Sequence, residues 1–464
     1  MRPVLSATIL AMLAASLVSC SGSPGRSGHT EADDEAPTAV WRSDGYGMVI
    51  SIGDGTARTF ETTSISCIPG QSLDQLGQPA PDGTVQYGQE GVAEQTVRPG
   101  PDGGATLHVL GAAADIDLLP VPALPDACKQ ETPDDPVTTF DVFWTTFAEH
   151  YNSFARKNIN WAAVRDQYRP RVSAGTEPEE LYAILEEMIR PLGDMHTSIS
   201  GDNGEFEGAR PGTRDLSPRA ITTAVDNHLR QNLGVTTIQT FAGGNIAYAD
   251  LPSARGYLRI SSFDDYNNDD NSYRGNKAEL DRALAAVFTP ERVAAWRGLV
   301  IDVRNNSGGD DALALQVAGR LTNTPHLAYT KQARNDPADP NKHSRPRRVT
   351  VTPAEGPRYT GPVRVLTSDL TVSAGETFVG SLMSRTPAPS RIGTATQGVF
   401  ADVLDRELPN GWTFGLGNEE YFAPDGRNYE GVGIPPTVPT PVFTESEFAQ
   451  RRDSALDSAL GAPW

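Results

Sequence analysis

The segment Pro362–Arg385, PVRVLTSDLTVSAGETFVGSLMSR, decides how this sequence is interpreted. Its first seven residues, 362–368, are mostly apolar or β-branched, which is typical of a buried strand. Apolar residues at helical spacing then predict a helix over Ala374–Met383. A turn of small residues connects the two elements. This arrangement would expose the hydroxyl of Ser373 at the N-terminus of the helix.

A serine hydroxyl in such a turn is well placed to act as a nucleophile. It is held rigidly beside backbone N–H groups without partners inside the helix, and it faces the positive end of the helix dipole. Serine nucleophiles, and the oxyanions that they generate, are placed in turns of this kind. The simpler interpretation is that Ser373 only caps the helix, which is a frequent role of serine. The segment alone leaves both interpretations open.

The first 19 residues predict a signal peptide. Arg2 precedes a largely apolar run over 4–18 that is too short to span a bilayer comfortably. The run ends in Leu17-Val18-Ser19-Cys20, which resembles a bacterial lipobox and predicts a lipidated Cys20 at the mature N-terminus. The protein would then sit in the cell envelope, on the outer face of the membrane. The alternative is an ordinary signal peptide with a chance cysteine.

Two further regions precede the central part of the chain. Residues 20–38 are rich in Ser, Gly, Pro and acidic residues and predict a flexible spacer. Short β-branched runs between turn residues over 39–128 predict a small all-β domain, a barrel or a sandwich. Apart from Cys20, the cysteines are Cys67 and Cys128. An oxidising compartment favours a disulfide between them, the alternative being two buried thiols.

Helical patterns then give way to an α/β pattern. Residues 136–198 predict a helical subdomain, whose third helix begins at a predicted capping box, Thr176-Glu-Pro-Glu179. Over 199–445, strands alternate with helices, one of them predicted over 280–296. This order indicates a largely parallel sheet with ligands at the carboxyl ends of its strands. Residues 446–464 are predicted as a tail or helix.

The composition and the histidine positions exclude some functions and some catalytic arrangements. A net charge of −20 argues against nucleic-acid binding. All seven histidines precede Ser373, which excludes the α/β-hydrolase order of serine, acid and histidine. His196, between the helical and α/β parts, is the best candidate base. The turn 305–309, Asn-Asn-Ser-Gly-Gly, could offer N–H donors to an oxyanion at the same sheet edge. Motifs for a catalytic metal are absent from the sequence, and no cofactor is expected.

Several segments together resemble one family. Leu299–Gly309, LVIDVRNNSGG, is similar to the Asp-x-Arg-x-Asn-x-Gly-Gly signature of the S41 serine peptidases. That family includes carboxy-terminal processing proteases, tricorn proteases and interphotoreceptor retinoid-binding proteins. The segments 365–376, 408–411 and 429–436 resemble other blocks of the family in the right order. The resemblance covers about 140–442 and implies a crotonase/ClpP-like α/β core that hydrolyses peptide bonds.

The resemblance also implies roles for individual residues. Processing proteases pair the serine with a lysine, but that position is Val399 here, so this dyad cannot form. Tricorn-like members use a histidine in a Leu-Gly-x-x-His block, which Leu192-Gly-Asp-Met-His196 matches. The family's late block implies Glu430 as the partner of His196. The implied oxyanion donors are the N–H groups of Gly308 or Gly309 and of Ala374.

One departure affects the base. Tricorn-like members carry a serine just before the histidine that helps to orient it, whereas this chain has Met195. Asp194, Thr197 or Glu430 are the alternatives for that role. Asp302 and Arg304 are interpreted as structural.

Glu376, three residues after Ser373, is interpreted as a first-turn helix residue favoured by the dipole.

Two functions remain open on the sequence. The first is a lipid-anchored serine peptidase acting on a peptide or protein substrate, with Ser373 as nucleophile and His196 as base. The second is a non-catalytic lipoprotein that binds a ligand or peptide on the same fold, since fold alone does not fix function.

Overall fold

A computed structural model describes residues 39–461 of the chain. The predicted signal peptide, the spacer and Cys20 all fall within residues 1–38 and lie outside the described residues. Residues 462–464 of the predicted C-terminal segment lie outside them too.

The first eight strands close into a barrel in which every neighbouring pair is antiparallel. These strands, β1 to β8, are Ala39–Ser43, Met48–Gly53, Thr56–Thr62, Cys67–Leu76, Val85–Gln89, Val92–Pro99, Ala105–Val109 and Ile116–Pro120. Full closure leaves no unpaired strand edge. A disulfide between Cys67 and Cys128 ties β4 to the segment that leaves the barrel.

The remaining elements alternate between helices and strands. The helices, α1 to α10, are Pro136–His150, Trp161–Tyr168, Pro178–Ile189, Pro218–Gln231, Tyr273–Val287, Pro290–Ala295, Asp311–Gly319, Ala374–Ser381, Glu445–Gln450 and Ser454–Gly461. The strands, β9 to β22, are Ser198–Gly201, Gly204–Glu207, Gln239–Phe241, Ile246–Leu251, Arg255–Ile260, Gly298–Asp302, His326–Ala333, Arg347–Val351, Val363–Thr367, Ser390–Gly393, Val403–Glu407, Thr413–Gly417, Glu419–Phe422 and Val438–Pro439.

A seven-stranded sheet forms the centre of the α/β part, in the order β11-β12-β13-β14-β17-β18-β22. From β13 to β22 its neighbours are parallel. One face carries α5, α7 and α8 over the largest apolar cluster, and the other face carries α4 and α10. Because β14 and β17 are adjacent and parallel, the turns that follow them meet at one edge of the sheet.

The helical subdomain shares its core with a second sheet. Helices α1 to α3 pack on a four-stranded sheet of order β10-β9-β20-β19. Its strands β10, β19 and β20, and all but the first residue of β9, come from the region 199–445 that the sequence assigned to a single α/β core; β19 and β20 follow the central sheet in the chain. The chain therefore returns to the helical subdomain after passing through the central sheet.

Two local predictions were wrong. The capping box at Thr176 does not form, because the Thr176 hydroxyl accepts from the Ser173 N–H and α3 begins after Glu177, which makes no side-chain cap. The single helix over 280–296 is two helices, α5 and α6. The second starts where Thr289 caps Arg292 N–H and Pro290 occupies the first turn, a strong start signal.

The barrel is joined to the α/β part by specific contacts. The Tyr46 hydroxyl donates to Glu419, and Arg347 pairs with Asp117 at 2.5 Å. A barrel loop also reaches α7, where the Ala312 N–H donates to the Gly111 carbonyl at 3.1 Å. Residues 39–461 accordingly belong to one compact unit. Within them, no helix is both long and apolar enough to cross a membrane.

Candidate active site

Ser373 lies in the turn between β17 and α8. Its backbone has φ 51° and ψ −120°, a strained conformation for a residue with a side chain. The side chain makes no capping hydrogen bond, and its Oγ has no partner among residues 39–461. The Ser373 N–H donates to the Val399 carbonyl at 3.1 Å. The hydroxyl is therefore held in place by its backbone and is not used as a helix cap.

The turn 305–309 packs directly against Ser373. A Cβ added to Gly308 would lie 2.8 Å from the Ser373 Cβ, so only glycine permits this approach. The Gly308 N–H donates to Asn306 Oδ1 at 3.0 Å and is therefore engaged. Within the described residues, the N–H groups of Gly309 and Ala374 have no acceptor. Of the predicted oxyanion donors, these two remain free.

Four consecutive residues, Gly398–Ala401, connect the predicted site residues, and we call them the bridging segment. The Val399 carbonyl accepts from Ser373, and the Phe400 N–H donates to Glu430 Oε2 at 2.9 Å. The main chain of Ala401 lies at the His196 imidazole, where it partly opposes the lowering of the imidazole pKa by burial. Successive residues of one short segment thus contact the three predicted catalytic residues.

Glu376 has a role that the sequence analysis did not predict. Its carboxylate accepts from the N–H groups of Gly398 and Val399, both at 2.7 Å, and so holds the start of the bridging segment. Burial raises the pKa of Glu376 to about 7, although these hydrogen bonds oppose the rise. The expectation of a first-turn residue favoured only by the helix dipole was therefore incomplete. Sequence spacing does not show which backbone a buried carboxylate will bind.

His196 is 8% exposed and lacks a partner at its ring Nδ1. Burial lowers the pKa of the imidazole, while the carboxylates of Asp194 and Asp402 oppose this shift. The neutral form is thus favoured, as a general base requires. No hydrogen bond joins His196 to Ser373 in the described residues. Catalytic hydrogen bonds are often long or unformed before substrate binds.

None of the three predicted orienting groups bonds to the imidazole. Asp194 Oδ2 accepts from the Tyr151 hydroxyl at 2.6 Å, and its Oδ1 accepts from the His196 main-chain N–H at 3.0 Å. The Thr197 hydroxyl donates to the Asp194 carbonyl. Glu430 is committed to Phe400 N–H, and burial with the Asp194 carboxylate raises the pKa of Glu430 to about 8.

A second group missed from the sequence adjoins the bridging segment. Asp402 follows Ala401, and its carboxylate accepts from the buried Lys331 ammonium at 2.7 Å. Lys331 also donates to Glu419 at 3.1 Å. These residues come from segments far apart in the chain, so no local sequence signal could have identified them.

Asp302 and Arg304 form a buried ion pair, which Asp453 extends at 2.6 Å. The carboxylates raise the pKa of the guanidinium well above its usual value. The pair lies at the end of β14, just before the turn 305–309 in the chain.

Comparisons with known proteins match two regions of the chain to known families. The profile of Peptidase family S41 matches residues 254–440, and that of the Tricorn protease C1 domain matches residues 134–190. No curated protein sequence matches the chain significantly.

Two solved structures share the fold. A candidate peptidase from Parabacteroides merdae ATCC 43184 aligns with TM-score 0.59 and 23% identity, covering 71% of this chain and 96% of that one. Mature CPAF aligns with TM-score 0.50 and 12% identity, covering 68% and 94%. The S41 profile spans both turns of the candidate site, so this region of the chain is similar to the S41 peptidases.

Proposed function

We propose that this protein hydrolyses peptide bonds with Ser373 as the nucleophile and His196 as the general base. The observation that carries the proposal is the bridging segment, because its successive residues contact Ser373, Glu430 and His196. Proximity of a serine, a buried neutral imidazole and free N–H donors is the arrangement that acyl transfer needs. No cofactor is required for this chemistry.

Each step can be assigned to a group in the site. Ser373 Oγ attacks the scissile carbonyl as His196 takes its proton. The N–H groups of Gly309 and Ala374 stabilise the oxyanion that forms. His196 then returns the proton to the leaving amine, and water repeats the sequence to release the acyl group. The bonds that Glu376 makes keep the bridging segment fixed while charge develops.

Substrate turnover tests the proposal directly. The full-length protein should cleave unfolded casein, and Ser373→Ala should abolish cleavage while leaving the circular dichroism spectrum unchanged. A matched control is Ser381→Ala, at the end of the same helix. Cleavage by the Ser373→Ala protein at the unsubstituted rate would contradict the assignment.

A non-catalytic binding protein on the same fold is the second candidate. The observation favouring it is that, among residues 39–461, His196 has no bond to Ser373 and no partner at its Nδ1. In that case a peptide would bind stoichiometrically to the unsubstituted protein without being cleaved. Absence of turnover with retained peptide binding would support this candidate over the peptidase.

We further propose that the protein is attached to the outer face of the membrane by lipid on Cys20. The support is the lipobox-like sequence at residues 17–20. Radiolabelled palmitate should be incorporated into the unsubstituted protein and not into Cys20→Ala. Equal labelling of both would contradict the anchor.

A further inference from the structure

A cavity of about 620 Å³ lies between α4 and the segment that includes α9, outside the candidate active site. Its apolar surface includes Val225, Phe443 and Phe448. Its volume is in the range of cavities that hold small ligands. None of the residues assigned to catalysis lines it.

Three arginines line the same cavity, namely Arg219, Arg451 and Arg452. All three are exposed, and none has a side-chain hydrogen bond, ion pair or aromatic contact within residues 39–461. Their guanidinium groups are therefore available to an external anion. The cavity thus combines apolar walls with uncommitted positive charge.

The two acidic residues of the cavity do not neutralise these arginines. Asp453 is bonded to Arg304 at 2.6 Å. Glu447 is buried and accepts from the N–H groups of Thr444 and Ser454. Both carboxylates are therefore occupied by other partners.

The position of Arg219 in α4 is an independent indication that the cavity binds an anion. It lies in the first turn of α4, where the helix dipole disfavours a positive side chain and favours an anion. No acidic residue occupies that turn. A bound anion would therefore be stabilised both by this helix end and by the three guanidinium groups.

We propose that this cavity binds a carboxylate carried on an apolar body, with the carboxylate among Arg219, Arg451 and Arg452 and the apolar part against Phe443 and Phe448. Guanidinium groups bind carboxylates through paired, charge-assisted hydrogen bonds. The proposal does not depend on hydrolysis at Ser373. Either a fatty acid or the free carboxyl end of an apolar peptide would supply this chemistry.

The test uses the full-length Ser373→Ala protein, so that no probe is consumed. Isothermal titration calorimetry measures binding of dodecanoate, of N-acetyl-Leu-Phe-Leu with a free carboxylate, and of the same peptide as its amide. We expect at least one carboxylate probe to bind and the amide to bind much more weakly. Binding of dodecanoate alone identifies a lipid source, and binding of the peptide alone identifies a peptide source.

Arginine variants in this background test the location of the site. Arg451→Ala with Arg452→Ala should weaken carboxylate binding by about tenfold or more, because both substitutions remove guanidinium donors to the bound carboxylate. Arg219→Glu, a separate variant, should weaken it as well. Arg348→Ala, an exposed and unpaired arginine on β16, is the matched control and should change nothing. The proposal is overturned if no carboxylate probe binds, or if the cavity variants bind as tightly as the control.

Discussion

Ser373 and His196 lie at two ends of the bridging segment and differ in how they are held. Ser373 is fixed by its own strained backbone, by the Val399 carbonyl and by the close approach of Gly308. The main chain of His196 is bonded to Asp194, but its imidazole Nδ1 has no partner. The nucleophile is thus preorganised through backbone contacts, whereas burial and the main chain of Ala401 are what constrain the base.

This difference indicates which part of the site depends on substrate. Preorganised donors act without rearrangement during the reaction. An imidazole whose Nδ1 has no partner within the described residues can adopt either tautomer, and only one tautomer accepts a proton from Ser373. Substrate binding is expected to complete the base half of the site, while the nucleophile half is complete beforehand.

The largest expected effect on activity comes from removing either the nucleophile or the base. Ser373→Ala, His196→Ala and the double variant should each lower kcat/KM by about 10⁴-fold or more, because residues that act as a unit are not additive. Steady-state hydrolysis of a quenched-fluorescence peptide measures this. Additive losses in the double variant would show that the two residues act separately.

Weakening the support of the bridging segment should have a smaller effect. Glu376→Gln keeps one acceptor and turns an amide NH₂ toward the other N–H, leaving a buried donor unsatisfied at a cost of about 1–3 kcal/mol. If the site shares this cost, kcat should fall by about 10- to 100-fold. Glu291→Gln, an exposed first-turn glutamate of α6, is the control. Equal losses in both variants would mean that only the helix dipole matters.

The pH profile should separate the two halves. Burial lowers the pKa of His196 below 6.5, so the imidazole is neutral at pH 7 and becomes protonated only at lower pH. Burial raises the pKa of Glu376 to about 7, so the unsubstituted enzyme should also lose activity as the pH falls through that value and the carboxylate becomes protonated. In Glu376→Gln the fall caused by Glu376 should disappear, while the falls caused by Glu430, whose pKa burial raises to about 8, and by His196 at lower pH should remain.

The Asp194 carboxylate should set the position of that lower fall. Since Asp194 raises the pKa of His196, Asp194→Asn in the Glu376→Gln background should move the fall in kcat/KM to lower pH. Profiles of both proteins between pH 4 and 9 measure the shift. Movement to higher pH would show that the titrating group is not an imidazole beside Asp194.

The smallest expected effect concerns strain at Ser373. Glycine adopts φ 51° freely, so Ser373→Gly should release about 1–3 kcal/mol of strain, offset by about 0.5–1 kcal/mol from its more flexible unfolded state. Its thermal midpoint should therefore equal or exceed that of Ser373→Ala, although both are inactive. A clearly lower midpoint for the glycine variant would contradict the strain argument.

The sequence predicted the nucleophile side of the site more fully than the base side. The strand, turn and helix around Ser373 follow from local apolar patterns. The two glycines of the turn 305–309 indicate, already in the sequence, a backbone with positive φ. The break between α5 and α6 could have been predicted from Thr289 and Pro290, which are local start signals.

The contacts of Glu376, Glu430 and Asp402 could not be predicted in this way. Each contact involves a backbone group or side chain that is brought close only by the tertiary fold, so the spacing of residues in the sequence does not reveal it. The resemblance to a family suggested Glu430 as the partner of His196, yet its carboxylate binds the Phe400 N–H. The return of β19 and β20 to the helical subdomain is another long-range feature of this kind.

The most direct test of the central claim is covalent labelling of the serine. The unsubstituted protein, His196→Ala and the control His326→Ala would be treated with a fluorophosphonate, and the modified residue would be mapped by mass spectrometry. We predict labelling of Ser373 in the unsubstituted and control proteins, and a much lower rate of labelling at Ser373 in His196→Ala. Labelling of Ser373 at an unchanged rate in His196→Ala would contradict the pairing of these two residues.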